Sequence, residues 1–155
     1  MPYYSTKRYG HERGLSCAYR QHKADSHCRL VHGYSLAFEF TFGAHELDVR
    51  NWVVDFGGLK TLEQWLRNTF DHTVLVAEDD PALEWFREGE RQDLLRLVVV
   101  ESGGCERFAE LAFRCAQLWL EANGEDVRCW VQRVTVYEHG ANSATIELGK
   151  GQNDV

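Results

Sequence analysis

The chain has 155 residues, 44% of them hydrophobic and 12% aromatic, which fits one globular domain with an ordinary core. Two prolines and a net charge of −7 argue against disorder and against a nucleic-acid face built from global charge. No apolar run approaches the ~20 residues that span a bilayer, and no charged segment followed by an apolar one opens the chain, so the expectation is a cytoplasmic protein without a membrane or nucleic-acid partner.

Residues 1–12 are polar and tyrosine-rich and read as a loose N-terminal arm, with one domain over 13–155. Residues 13–19 hold a short mixed segment that can form a strand. Tyr19 to Tyr34 then carries His22, His27, Cys28 and His32 in sixteen residues, three of the seven histidines and one of the five cysteines. Flanked by strand-like segments, it reads as a loop at a sheet edge, where chemistry is often placed. Tyr34, Leu36, Phe38, Phe40 and Phe42 alternate with smaller or polar residues, the period of a half-buried strand. Gly43 to Asn51 reads as a hairpin loop and Asn51 to Phe56 as a second strand.

Leu59, Leu62, Trp65, Leu66 and Phe70 recur at helical spacing, which predicts a helix over 58–69. Pro81 behind Asp79-Asp80 opens a short helical piece. Leu94 to Val100 is an apolar run suited to a buried strand. Residues 105–122 predict the longest helix, with Phe108, Leu111, Ala112, Cys115, Leu118 and Trp119 on its buried stripe and Gly124 past its end. Residues 127–138 and 142–148 predict two last strands. This order favours an α+β domain, a mostly antiparallel sheet with two helices on one face, whose open edges invite oligomerisation.

The cysteines are odd in number with no CxxC pair, so they read as reduced thiols. Cys28 lies four residues before His32, Asp71-His72 ends the first helix, and Glu138 ends a strand. A thiol, an Asp-His pair and a carboxylate are the parts of acid/base or nucleophilic catalysis. Each also has a plain alternative: an inert small side chain for Cys28, solvated polar residues at a helix end for Asp71 and His72, a surface carboxylate for Glu138.

Five segments in order resemble the family of 6-pyruvoyltetrahydropterin and 6-carboxytetrahydropterin synthases. Cys28-Arg29-Leu30-Val31-His32-Gly33-Tyr34 is similar to the family's Cys-x-x-x-His-Gly-His. Val53-Val54-Asp55-Phe56-Gly57-Gly58-Leu59-Lys60 resembles its strand-to-helix turn, and Phe70-Asp71-His72-Thr73-Val74-Leu75 its Leu-Asp-His-x-x-Leu. Gly104-Cys105-Glu106-Arg107-Phe108-Ala109 is similar to its glutamate-bearing helix opening. Val134-Thr135-Val136-Tyr137-Glu138 resembles its last strand.

The resemblance implies the tunnelling fold, with subunits joined edge to edge into barrels as homotrimers or homohexamers and active sites between subunits. It implies a lyase acting on the side chain of dihydroneopterin triphosphate, on the route to queuosine and other 7-deazaguanines. It casts Cys28 as general acid/base, Asp71 and His72 as its proton relay, and Glu138 with Glu106 as pterin-binding carboxylates. Arg20, Lys23 and Arg29, or none of them if they are merely solvated, would meet the triphosphate. The alternatives are a binder of pterin or purine without turnover, and a triphosphate eliminase of the pyruvoyl type.

The resemblance also implies zinc held by three histidines, yet Tyr19 and Tyr34 stand at two of those positions and only His32 remains. Either His22 and His27 complete a rebuilt site with His32, or no catalytic zinc is held. His27 has a second reading as a proton-transfer partner of Cys28.

Overall fold

The computed structural model describes residues 1–149; residues 150–155 at the end of the expected domain lie outside it. Seven strands, β1 (Tyr3–Tyr9), β2 (Leu15–Tyr19), β3 (His32–Ala44), β4 (Thr73–Ala77), β5 (Leu97–Val100), β6 (Cys129–Tyr137) and β7 (Ser143–Glu147), form one sheet. Three helices accompany it: α1 (Lys60–Phe70), α2 (Leu83–Arg91) and α3 (Cys105–Ala122). The sheet runs β5-β4-β2-β3-β6-β7, with β1 paired to β3 off that path.

The alternating stretch is the central strand. Leu36, Phe38, Phe40 and Phe42 are all fully buried, and they meet the helices through contacts such as Phe38 on Phe70, ring centroids 4.7 Å apart. β2 lies along the first half of β3, β1 along its second half, and β6 along its other side. The segment expected as a loose arm is therefore a strand: Tyr3 to Tyr9 pairs antiparallel with Phe38 to Ala44. Polar side chains on an edge strand hide it from a hydrophobicity reading.

The sheet is antiparallel except at one end, where β4 runs parallel to both β2 and β5. Thr73–Ala77 was not expected as a strand. Its short, unbroken apolar run has no alternation to reveal it, as befits a strand buried in a parallel pairing. Asn51 to Phe56, by contrast, is not a strand. Asp48 Oδ1 accepts the backbone N–H groups of Arg50 (2.8 Å) and Trp52 (2.9 Å), and Asp55 accepts that of Gly57 (2.8 Å). Those carboxylates take the donors a ladder would need and fold the segment into turns, while Val53 and Val54 still enter the core.

Helix α1 buries Leu62, Leu66 and Phe70, one turn apart as its periodicity requires. In α3 the buried stripe is rotated from the expected one: Phe108, Ala109, Ala112, Ala116 and Leu120 face inward, and Leu118 is exposed. The alanines let the helix lie close to the sheet, and Leu111, Cys115 and Trp119 pack at its flank. Gly124, with φ of +66, follows its end as the left-handed closing residue. No helix among the described residues is long and apolar enough to cross a membrane.

Candidate functional site

Antiparallel pairing sets Tyr19 directly opposite His32 and Cys17 opposite Tyr34. Side chains at paired positions share a face, so Tyr19, His32 and Tyr34 converge. Their ring centroids lie 5.0 Å (Tyr19–His32), 5.8 Å (His32–Tyr34) and 6.3 Å (Tyr19–Tyr34) apart. Phe108 of α3 closes on Tyr19 edge-on at 5.0 Å. His139, which sequence reasoning passed over, has its ring 5.8 Å from that of Tyr34; its only signal was a place one residue after Glu138.

The Tyr19 hydroxyl donates to Glu138 Oε1 at 2.7 Å, across 119 residues of sequence. Tyr19 is 2% exposed. Burial first, and then the bond to Glu138, push its phenol ionisation far up. Tyr34 moves the same way, from burial and then the charge of Glu138. Glu138 and Glu106 line one cavity of about 420 Å³ with Cys105, Ala141, Asn142 and Ser143, at the start of α3. Burial and the two carboxylates push the Cys105 thiol up to about 12, which keeps it a packing residue, with Sγ directed to Val136 O at 3.5 Å.

Cys28 is half-exposed in a 3-10 turn, His27–Arg29, where Ser26 Oγ accepts the Cys28 backbone N–H at 3.3 Å. The loop carrying it is fastened at three points. Gln21 N–H donates to Cys28 O (2.9 Å), Gln21 Nε2 donates to Gly103 O (3.0 Å), and Arg20 forks onto Asp80 (2.7 and 2.8 Å). Gly104 permits the second of these. Its φ of +106 and ψ of 159 belong to a nearly glycine-only region, and an added Cβ would lie 2.0 Å from Gln21 Nε2. Gly104→Ala is expected to cost about 1–3 kcal/mol from backbone strain, read as a lower denaturant midpoint at unchanged slope. An unchanged midpoint would show the position to be relaxed.

Asp71 caps α1, and its Oδ1 lies 2.6 Å from His72 Nδ1. His72 has a left-handed φ of +55, and its side chain is 89% exposed. The carboxylate holds Nδ1–H, which leaves Nε2 open to solvent. His72 N–H donates to Ser16 O at 2.7 Å, and His72 lines a cavity of about 520 Å³ with Ser16, Ala18, Gly33, Tyr34 and Arg96. Ser16, Ala18, Gly33 and Ser35 of its lining lie on the sheet face opposite to Tyr19, while Cys17 and Tyr34, of the Tyr19 face, also border it. The cavities of Glu138 and His72 share no lining residue. A third, of about 550 Å³ beside Tyr3, Trp52 and Phe56, contains none of the site residues.

The rebuilt metal site is not formed. His22 is drawn to Asp79 (3.4 Å) and Asp80 (3.9 Å), and His27 is exposed on the 3-10 turn. His32 Nδ1 is bound to Leu30 O at 2.8 Å. Among the described residues no three His, Cys, Asp or Glu side chains gather to hold a metal. The donor set at Tyr19, His32 and Tyr34 is one imidazole and two protonated phenols, which does not fit zinc. Of the three cations expected to meet a triphosphate, Arg20 is committed to Asp80 and Lys23 to Asp79. Arg29 is exposed on the site loop.

Comparison with known proteins points one way. The family model described as 6-pyruvoyl tetrahydropterin synthase matches residues 10–148. A 6-carboxy-5,6,7,8-tetrahydropterin synthase of Rickettsia bellii is 35% identical over 54 residues, which is 34% of this chain and 39% of the relative's length. An uncharacterized protein of Wolinella succinogenes superposes with a TM-score of 0.79 at 18% identity, over 96% of this chain and 99% of that one. A 6-pyruvoyltetrahydropterin synthase of Plasmodium vivax gives 0.71 at 15% identity, with the same coverages. At these identities the likeness shows the fold.

Proposed function

The chain belongs to the 6-pyruvoyl tetrahydropterin synthase family, and from that premise we propose that it is a pterin-processing lyase of the 6-carboxytetrahydropterin synthase type, acting on the side chain of dihydroneopterin triphosphate on the route to 7-deazaguanines. The observation that carries the reading is Glu138, half-buried beside the start of α3 with one oxygen held by Tyr19. A carboxylate so fixed accepts the ring N–H and amino group of a pterin. The Rickettsia bellii relative's name favours the carboxy branch over the pyruvoyl branch.

Proton transfer falls to Cys28, Asp71 and His72. Asp71 orients His72 through Nδ1, and the exposed Nε2 gives or takes the proton. Cys28 exchanges a proton with the substrate side chain. His72 and Glu138 line separate cavities of one chain, so a second copy supplies the Asp71-His72 pair across an edge-to-edge interface. Arg29 is the cation of the site loop left for the triphosphate.

The test is a pair of variants. Cys28→Ala and His72→Ala are expected to lower kcat by a factor on the order of 10²–10⁴ while ring affinity stays near that of the parent, measured by product formation and by fluorescence titration. Full turnover by Cys28→Ala would remove Cys28 from the chemistry. The second reading, a binder without turnover, is favoured by the two phenols at expected imidazole positions; it predicts ring binding and no product from the parent itself.

A further inference from the structure

We propose that this chain has rebuilt a three-ligand corner as a metal-free one, in which Tyr19 is the positioning residue for Glu138. The inference rests on the reading of Glu138 as the pterin anchor, and it adds a residue and a chemistry to it.

Three features of the fold support it. First, the corner is intact in shape. Register alone brings Tyr19, His32 and Tyr34 onto one face, with every pair of ring centroids within 6.3 Å. Second, the donors have changed to groups that act through their protons. The Tyr19 O–H is already spent on Glu138 Oε1 at 2.7 Å. A metal bound by Tyr19 would have to take the phenolate, and so would remove the bond that sets the carboxylate. Third, the histidines nearest in sequence are engaged elsewhere or exposed. His22 is held against Asp79 and Asp80, and no ligand group of three forms among the described residues.

The consequence is a division of labour within one carboxylate. Oε1 is fixed by Tyr19, which is itself locked by Phe108 and by its burial. The other oxygen has no protein hydrogen-bond partner among the described residues and is left for a ligand's N–H donors. A carboxylate anchored at one oxygen loses less freedom when the other is bound, so the phenol contributes to affinity without touching the ligand.

The experiment has two arms on the full chain. In the first, the purified protein is dialysed against zinc, desalted and analysed for metal. The parent is expected to hold substoichiometric zinc. Y19H/Y34H, which presents three imidazoles at converging positions, is expected to retain about one zinc per chain. In the second arm, Tyr19→Phe is expected to raise the Kd and KM for a pterin about tenfold with kcat and metal content unchanged, the pattern of lost ground-state binding. A general loosening of the fold would lower kcat and the thermal midpoint together.

Stoichiometric zinc in the parent that disappears in Tyr19→Phe or His32→Ala overturns the proposal, as does a Tyr19→Phe protein with parental pterin affinity. Should Y19H/Y34H fail to fold, the parent's metal content and the Tyr19→Phe titration decide the matter. A zinc-loaded parent that turns substrate over contradicts this inference and leaves the lyase reading standing. A zinc-free parent that binds pterin through Glu138 without turnover does the reverse.

Discussion

Glu138→Gln is expected to weaken binding of a dihydropterin about a hundredfold, with the fold unchanged. The ring edge offers N–H donors, and the carboxylate accepts them. Glutamine turns one of its two positions into a donor that faces another donor. Hydrogen bonds to charged groups contribute about 1.5–3 kcal/mol each, and loss of roughly 3 kcal/mol is about two orders of magnitude in Kd. Tyr19 still donates to the amide oxygen of a glutamine, so the 2.7 Å contact and the packing around Phe108 survive. The thermal midpoint should therefore stay put while the titration curve moves. A Kd within a few fold of the parent would remove Glu138 from recognition, and with it the observation on which the functional reading stands.

Arg20→Ala is expected to destabilise the fold strongly although it removes no core side chain. Asp80 has a side chain only 1% exposed, and Arg20 forks onto both its oxygens. Asp80 Oδ1 also accepts the Ala82 N–H at 2.8 Å, which starts α2. Removing the guanidinium leaves a buried carboxylate with too few partners, a change that costs about 3–5 kcal/mol in comparable sites. Arg20 is itself 23% exposed, so solvent screening places the expectation near the low end, about 3 kcal/mol.

The pH dependence follows from the sign of the shift. The bond from Arg20 holds the Asp80 carboxyl below the usual carboxylate range in the folded state. A depressed folded value contributes stability above the unfolded carboxylate pKa of about 3.9 and loses it as pH falls through the folded one. The gap between parent and Arg20→Ala should thus be full at neutral pH and narrow below about pH 4. Arg20→Ala with Asp80→Asn should recover part of the loss, because the stranded charge is gone. Urea unfolding at several pH values measures all three; an Arg20→Ala midpoint equal to the parent's would refute the account of this tether.

Much of the fold was legible because it was written in periodicity. β3, α1 and α3 each repeat apolar residues at the spacing of their element, and all three form where expected. Thr73–Ala77 has no period to detect, and the polar Tyr3–Tyr9 is ordered by long-range pairing with β3 and by Tyr9 entering the core. Asn51 to Phe56 has the composition of a strand, but Asp48 and Asp55 bind its backbone first. Local carboxylate capping overrode the apolar pattern there.

The site was legible in its parts and not in its contacts. Tyr19 and Tyr34 stood out as the positions where the resemblance leads one to expect imidazoles. That the Tyr19 hydroxyl reaches Glu138 depends on β2, β3 and β6 lying side by side, which no spacing encodes. His22 looked like a spare ligand because the chain near it is rich in histidine. Its partners, Asp79 and Asp80, lie more than fifty residues away and are brought to it by the pairing of β2 with β4. The same acidic pair removes Arg20 and Lys23 from the list of free cations.

The most direct measurement is to incubate the purified full chain with dihydroneopterin triphosphate and count acetaldehyde released against substrate consumed, with the pterin product identified by mass. A 6-carboxytetrahydropterin and equimolar acetaldehyde are the predicted result. Substrate recovered unchanged, or a triphosphate-eliminated pterin without acetaldehyde, would contradict it.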